Sequence, residues 1–211
     1  MSAPARRGAF VALEGGEASG KSTQARLLAD ALGAVLTREP GGTRLGERVR
    51  ELLLDPDHEE LTDRTEALLF AAARAQHVAE VIRPALEAGH DVVTDRFAAS
   101  SFAYQAVGRG LELDAVRALS EFAVDGVWPD LNVLLDVPAA AARARIGDDP
   151  DRLERAGDAF HDRVDAGFAA LVAAESGRWA VVDGTGSVEE VAARVRSVVA
   201  VRLGRPDLAP A

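Results

Sequence analysis

The chain has 211 residues, no cysteine and a formal net charge of −10 at pH 7. Its length suits a single packed domain, and its negative charge would repel nucleic acid. Without cysteine it can form neither disulfides nor thiolate metal sites, and no apolar run reaches the roughly 18–20 residues that cross a bilayer. We therefore expect one cytoplasmic domain over residues 1–211, with loose ends at 1–8 and 204–211 and with neither a membrane nor a nucleic-acid partner.

Short apolar runs alternate with helical patterns along the chain. The predicted strands are residues 9–13, 34–37, 91–94, 131–135 and 179–182. Between them, apolar residues recur at helical spacing, including a long stretch from about 62 to 88. This alternation predicts an α/β fold with a mostly parallel sheet covered by helices on both faces. Ligands of such sheets bind beyond the carboxyl ends of the strands, so the residues that follow each strand are the site candidates.

The first predicted strand leads into the glycine-rich loop GGEASGKST, residues 15–23. Gly15, four residues, and then Gly20, Lys21 and Ser22 have the spacing of a phosphate-binding loop. Backbone N–H groups of such a loop point at phosphate oxygens, the lysine bridges these oxygens, and the hydroxyl can bind Mg²⁺. An ordinary glycine-rich turn is the alternative, but the flanking strand and helix favour an ATP site. Its predicted residues are Gly15, Gly16, Glu17, Ala18, Ser19, Gly20, Lys21, Ser22 and Thr23.

Lysine is rare in this chain: Lys21 is the only one among 24 basic residues. A compact ammonium on a flexible stem can follow a phosphoryl group, whereas a planar guanidinium would crowd the loop. The acidic Glu17 is unexpected inside a phosphate loop, because it should repel a triphosphate unless it faces a hydroxyl group or a metal ion.

Charged residues also follow the next two strands. Arg38 precedes a Pro-Gly-Gly turn, and Asp95 and Arg96 come directly after the third strand. Both guanidinium groups could bind a phosphate, and Asp95 could hold Mg²⁺ through water. Each arginine alone could equally form a surface ion pair, but their positions after successive strands favour binding.

Two further segments could contribute to a site. The long helical stretch places Phe70 and Arg74 one turn apart, which suits a planar base with carbonyl groups. A buried phenylalanine beside a solvated arginine is the commoner arrangement. Residues 142–160 form a charged stretch with Gly and Pro between two helical patterns, and its central part, residues 147–157, is the expected lid. This stretch is either a solvated loop or a lid that brings arginines to a transferring phosphoryl group.

Together, these segments resemble the thymidylate kinase family over about residues 9–201. The phosphate loop, TREPGGT, LLFAAARAQH, DRF..S..AYQ..GRG and PDLNVLLDV occur in the family's order and approximate spacing. The resemblance implies a three-layer, P-loop NTP-hydrolase-like fold with a five-stranded parallel sheet and a lid, usually in a homodimer. It also implies transfer of the γ-phosphoryl group of ATP to dTMP, which gives dTDP and ADP, with Mg²⁺ as cofactor.

The resemblance assigns roles to the residues that match the family's motifs. Phe70 would stack on thymine, Arg74 would bond a base carbonyl, and Arg38 and Arg96 would bind the monophosphate. Tyr104 would disfavour a 2′-hydroxyl group. The acceptor-site residues implied in this way are Glu17, Arg38, Phe70, Arg74, Arg96, Ser100, Ser101, Tyr104 and Gln105. Glu17 would face the 3′-hydroxyl of the acceptor, which removes the electrostatic conflict with the triphosphate.

The chain departs from the family's pattern in its phosphate loop. Family members carry a catalytic arginine in the loop or in the lid, and here the loop position holds Ala18. The role should then fall on Arg143, Arg145 or Arg152, as in the lid-arginine type common in bacteria. We expect Arg145 and Arg152 to act with Lys21, Asp95 and Arg96 in catalysis. Arg143 would bind ATP, with the adenine between this residue and the loop at 183–187.

Other functions remain compatible with a phosphate loop. Another P-loop nucleoside or nucleotide kinase would share it, and so would a pseudoenzyme that binds ATP without transferring phosphate. A GTP-dependent switch would need an Asn-Lys-x-Asp motif, which this chain cannot contain because Lys21 is its only lysine.

Overall fold

Five strands form one parallel sheet in the computed structural model, which describes residues 7–58, 60–145, 147 and 150–208. The strands are β1 (Phe10–Glu14), β2 (Val35–Arg38), β3 (Val92–Asp95), β4 (Leu131–Asp136) and β5 (Trp179–Asp183). Their order in the sheet is β2-β3-β1-β4-β5. Every end lies within one residue of its predicted position, and the predicted five-stranded parallel sheet is confirmed.

Helices connect consecutive strands and cover the sheet. They are α1 (Lys21–Leu32), α2 (Arg44–Leu54), α3 (Asp63–His77), α4 (Arg83–Glu87), α5 (Ala98–Ser101), α6 (Leu113–Val124), α7 (Ala139–Arg143), α8 (Asp158–Ala174) and α9 (Val188–Leu203). A π-helical segment, Val78–Ile82, joins α3 to α4, so the long predicted stretch is one continuous helical rod. A second, Phe102–Gly108, continues α5. Short 3₁₀ turns occur at Glu154–Ala156, Ser176–Arg178 and Pro206–Leu208.

Strand β1 lies at the centre of the sheet and is completely buried. Successive side chains of a strand point to opposite faces, so this strand contributes to two cores. Val11 and Leu13 pack in a cluster with residues of α1 and α9, whereas Phe10 and Ala12 pack with residues of the α3–α4 rod and α6. The sheet is therefore the middle of three layers, as expected.

The chain ends differ from the loose tails expected from the sequence. Arg7 pairs with Asp130 at 3.0 Å, and Arg205 pairs with Asp91. Leu208 is buried in the cluster beneath α9, which ties residues 204–208 to the body of the molecule. Residues 1–6 and 209–211 lie outside the described part. Within the part of the chain that the structure describes, no helix is both long and apolar enough to cross a membrane.

Candidate active site

The carboxyl ends of β1, β2 and β3 meet at one edge of the sheet. In the parallel register, Leu13 of β1 and Arg38 of β2 both lie opposite Asp95 of β3. The glycine-rich loop leaves β1 at this edge and runs into the N-terminus of α1. The fold therefore brings together residues that are up to about 80 positions apart in the sequence.

The glycine-rich loop has a backbone that a larger residue could not adopt at its start. Gly15 has φ of +145°, and a Cβ atom there would lie 2.8 Å from the carbonyl oxygen of Leu135. Gly20 has φ of +91° and caps the N-terminus of α1, where N–H groups and the helix dipole favour an anion. The buried Lys21 ammonium donates to the Gly16 carbonyl and, at 3.1 Å, to the Ser19 hydroxyl. Burial, followed by the nearby charge of Arg96, lowers the pKa of Lys21 to about 8.

Asp95 connects the end of β3 to the start of α1. Its Oδ2 atom accepts a hydrogen bond from the hydroxyl of Ser22. Its Oδ1 atom is buried and has no hydrogen-bond partner among the described residues. A hydroxyl and a carboxylate side by side, with one oxygen unsatisfied, form an oxygen donor set of the kind that Mg²⁺ prefers. Both residues thus have the chemistry expected of magnesium ligands.

Arg96 is fixed by several contacts in a strained backbone conformation. Its φ of +68° lies in the left-handed region, which costs a non-glycine residue free energy and is found mostly at functional sites. Its guanidinium donates to the Gly15 carbonyl at 2.9 Å, to Glu17 at 2.7 Å and to the Tyr104 hydroxyl at 3.0 Å. The side chain is 15% exposed. Its orientation is therefore set by the protein itself.

The acidic residue of the loop, Glu17, faces Arg96 and Tyr104. The Tyr104 hydroxyl donates to its carboxylate at 2.6 Å. Burial opposes ionisation of Glu17, but the charges of Arg96 and Lys21 outweigh it and lower its pKa to about 2. The ionised carboxylate of Glu17 is thus paired with Arg96 and Tyr104, which explains how the protein accommodates an acidic residue beside a phosphate site.

Arg74 is buried, with 1% exposure. The alternative of a buried phenylalanine beside a solvated arginine is therefore wrong for this pair. Its Nε donates to Glu39 at 2.8 Å, and its Nη2 donates to the Ser101 hydroxyl at 3.1 Å and to the Phe97 carbonyl. The half-buried Phe70 lies one turn away on α3. The walls of the adjoining cavity include Glu17, Phe70, Arg96, Ser100, Ser101, Tyr104 and Gln105.

A second and larger cavity, about 440 Å³ in volume, adjoins the loop at Gly16, Glu17 and Ser19. Its other walls come from the end of β4, from α7 and from α8. Among the residues that the structure describes, no group of three or more His, Cys, Asp or Glu side chains could hold a metal ion. Any Mg²⁺ would therefore be bound with few protein ligands, which is usual where it is held with substrate phosphates.

Comparisons with known proteins show which family the chain belongs to. The sequence model of the family described as thymidylate kinase matches residues 13–195. This chain belongs to the thymidylate kinase family. It is 50% identical over 205 residues to the thymidylate kinase of Leifsonia xyli subsp. xyli, covering 93% of this chain and 97% of that protein. The thymidylate kinase of Desulforudis audaxviator is 50% identical over 183 residues, or 83% of each chain.

A solved structure agrees with the sequence comparisons. The crystal structure of thymidylate kinase from Ehrlichia chaffeensis has a TM-score of 0.75 and 30% identity, and the match covers 92% of this chain and 99% of that one. The family resemblance and the P-loop fold expected from the sequence are both confirmed.

Not every predicted site residue of this thymidylate kinase family member lies in the same cluster. Arg38 is half exposed and pairs with Glu47 at 2.8 Å. The buried amide of Gln105 donates to Glu66 at 3.0 Å. Arg152 donates to Glu66 at 2.6 Å and to the Leu53 carbonyl at 2.8 Å, which attaches the expected lid to α2 and α3.

The other lid arginines have different surroundings. Arg145 follows α7 and is exposed. Arg143 is the last residue of α7, and its side chain lies outside the described part, as do residues 146, 148 and 149 of the lid region.

Several buried side chains around the site were not predicted from the sequence: Glu14, Glu39, Glu66 and His77. Glu14 accepts from the Phe97 N–H at 2.9 Å and from the Ser100 hydroxyl at 2.6 Å. Burial raises its pKa to about 7, against the hydrogen bond from Ser100 and the charge of Arg96. Its position directly before the phosphate loop was the one available signal. The partners of Glu39 and Glu66 are remote in sequence, so spacing could not reveal them.

Proposed function

We propose that this chain transfers the γ-phosphoryl group of ATP to dTMP and forms dTDP and ADP. One observation carries the proposal beyond family membership. Two buried guanidinium groups, those of Arg74 and Arg96, are held by the carboxylates of Glu39 and Glu17. Both carboxylates and Arg96 line a cavity beside the phosphate loop. Paired guanidinium groups beside the flat ring of Phe70 suit an acceptor with a phosphate and a carbonyl-bearing base.

The donor side of the proposal rests on the loop. Backbone N–H groups of residues 15–23 bind the phosphates of ATP, and Lys21 follows the γ-phosphoryl group as it moves. Ser22 and Asp95 would hold Mg²⁺, and when bound the ion would neutralise charge that develops on the phosphates. Arg143 and the loop at 183–187 are proposed to bind the adenine.

On the acceptor side, Arg38 and Arg96 bind the phosphate of dTMP, and Phe70 stacks on the base. Arg74 donates to a base carbonyl, while Ser100, Ser101 and Gln105 line the cavity near it. Glu17 and Tyr104 face the deoxyribose. No covalent intermediate is needed, because the acceptor phosphate is already an anionic nucleophile. Catalysis then consists of alignment and charge stabilisation.

The lid, residues 147–157, completes the site by closing over the reacting groups. Arg145 and Arg152 are proposed to stabilise the charge of the transferring phosphoryl group, because Ala18 has no side chain able to do so. Arg152 must then leave Glu66 when ATP binds, since that carboxylate now accepts its guanidinium at 2.6 Å.

The partner proposed for this chain is a second copy of itself. Large apolar side chains are exposed on three neighbouring helices: Leu45 and Leu52 on α2, Leu68 on α3 and Phe122 on α6. Phe122 is 87% exposed, so its ring gains most from being covered. Phe122→Glu should shift the protein from dimer to monomer in light scattering; an unchanged mass would place the interface elsewhere. The cytoplasmic location expected from the sequence stays a prediction.

The test is ADP release from Mg-ATP with a panel of acceptors: dTMP, dUMP, dCMP, dGMP, AMP and thymidine. Turnover with dTMP, weaker turnover with dUMP and none with thymidine are expected. Turnover with thymidine but not with dTMP would identify a nucleoside kinase instead. ATP binding without ADP release for any of the acceptors would identify a pseudoenzyme.

A further inference from the structure

His77, the last residue of α3, is completely buried and uses both of its ring nitrogens. Nδ1 lies 3.0 Å from Oε1 of Glu39, and Nε2 lies 2.5 Å from the hydroxyl of Thr37. An ionised carboxylate can only accept, so Nδ1 must carry the proton that is donated to Glu39. Nε2 then faces the Thr37 hydroxyl, which holds the other edge of the ring. The imidazole is therefore held between Thr37 and Glu39.

The carboxylate of Glu39 connects His77 to Arg74. Its other oxygen, Oε2, accepts from Arg74 Nε at 2.8 Å, so the two oxygens of one carboxylate serve the histidine and the arginine. Arg74 and His77 are three positions apart on α3 and face the same carboxylate. The end of β2 and the end of α3 are thus joined by a buried chain of four side chains: Thr37, His77, Glu39 and Arg74.

One donor of Arg74 remains available. Nη2 is taken by Ser101 and the Phe97 carbonyl, whereas Nη1 is buried and has no partner within the described residues. A guanidinium is planar, so fixing Nε and Nη2 also fixes the direction of Nη1. A buried guanidinium N–H can only donate, and it is costly to leave unpaired.

We propose that His77 is a positioning residue for base selection: by holding Glu39, it aims Nη1 of Arg74 at a base carbonyl. This inference rests on the proposed function, which supplies the nucleotide. A base with a carbonyl at the contacted position, such as thymine, accepts this hydrogen bond. A base with an amino group there, such as cytosine, presents a second donor and is rejected.

The surroundings of the ring show that its position is fixed. Gly42 approaches it so closely that a Cβ atom there would lie 2.7 Å from Nε2 and 2.6 Å from the Thr37 hydroxyl. Gly42 also has φ of +75°, a conformation that glycine adopts readily. The turn after β2 therefore packs directly on the histidine, and the ring cannot move away from Glu39 without moving that turn.

The experiment measures equilibrium binding of dTMP and dCMP without ATP, and then the kinetics of phosphorylation. His77→Leu removes the donor to Glu39 while keeping a buried side chain. We expect the affinity for dTMP to fall about tenfold, the value of one hydrogen bond to a charged group. The dTMP-to-dCMP affinity ratio should fall by about the same factor, with KM for ATP unchanged and KM for dTMP rising more than kcat falls.

Two matched variants separate positioning from packing. His77→Asn places an amide N–H where Nδ1 stands and should recover most of the dTMP-to-dCMP ratio. Gln76→Ala changes the neighbouring residue, which contacts Glu80, and should leave the ratio unchanged. If His77→Leu does not fold, Thr37→Val removes the hydroxyl that holds Nε2 of His77 and should lower the ratio in the same direction.

A ratio that stays at the wild-type value in folded His77→Leu, or in Thr37→Val, would overturn the proposal. So would equal losses of dTMP, dCMP and ATP binding, because they would indicate a purely structural histidine. Wild-type protein that binds dTMP without phosphorylating it would overturn the proposed function alone, since the binding ratio still decides the role of His77.

Discussion

The acceptor side and the lid both contribute arginines to the proposed site, but they hold them differently. Arg96 directly follows strand β3, whereas Arg74 lies on α3. Their carboxylate partners, Glu17 and Glu39, both line the cavity. In the lid region, Arg152 pairs with Glu66 of α3, and Arg145 is exposed. The difference indicates that dTMP meets a site already organised by the protein, whereas the lid arginines must change partners before phosphoryl transfer.

The largest loss of kcat is expected from a change in the phosphate loop, which serves both the acceptor side and the lid. Lys21→Ala should lower kcat by about 10³-fold, because a preorganised positive charge beside the transferring group is lost. Arg26→Ala removes an exposed charge from the same helix and should have little effect. Steady-state kinetics would check this, and near-normal turnover of Lys21→Ala would show that the loop does not do the chemistry assigned to it.

The next largest loss of kcat is expected from the arginines of the lid region. Arg145→Ala and Arg152→Ala should each lower kcat by about 10²-fold with little change in dTMP binding, because both are proposed to act only on transition-state charge. Arg64→Ala, an exposed residue of α3, serves as the control. If neither removal lowers single-turnover rates, the catalytic arginine lies elsewhere and the lid has no chemical role.

A smaller effect is expected from the stacking ring on the acceptor side. Phe70→Ala should raise KM for dTMP about tenfold, since stacking of a base on an aromatic ring contributes roughly 1–3 kcal/mol. KM for ATP should stay the same. An unchanged KM for dTMP together with a raised KM for ATP would contradict the assignment of this side to the acceptor.

The last expected effect is on stability rather than on kinetics, and it concerns Glu14. Its pKa is about 7 in the folded protein, above its usual value of 4.5, so the folded state binds the extra proton between these values. The free energy of unfolding should therefore fall as pH rises from about 4.5 to 7, by up to about 3 kcal/mol. Glu17, with its lowered pKa, contributes in the opposite sense and only below pH 4.5.

Urea denaturation of the nucleotide-free protein at several pH values would measure this dependence. Glu14→Gln keeps the shape of the side chain and removes the titration, so its unfolding free energy should vary less over the same interval. Parallel curves for wild type and Glu14→Gln would show that the carboxyl does not titrate there.

The sequence predicted where the strands, the phosphate loop and the residues after each strand would lie, but it did not predict which side chains hold the arginines. The strand, loop and helix pattern predicted the position of Lys21, and the rule for parallel strands predicted that Asp95 and Arg96 lie beside it. The carboxylates that hold Arg74 and Arg152 were not predicted, because Glu39 meets Arg74 across 35 positions and Glu66 meets Arg152 across 86. Such pairs depend on how α3 packs against β2 and the lid. The five-residue α7 was also missed, since it is too brief to show a helical period.

Calorimetric titration of the free protein with dTMP and with thymidine would show whether the acceptor side is organised without ATP. We expect dTMP to bind without ATP and thymidine to bind far more weakly, since it has no phosphate for Arg38 and Arg96. Equal affinities, or dTMP binding that requires ATP, would contradict this expectation.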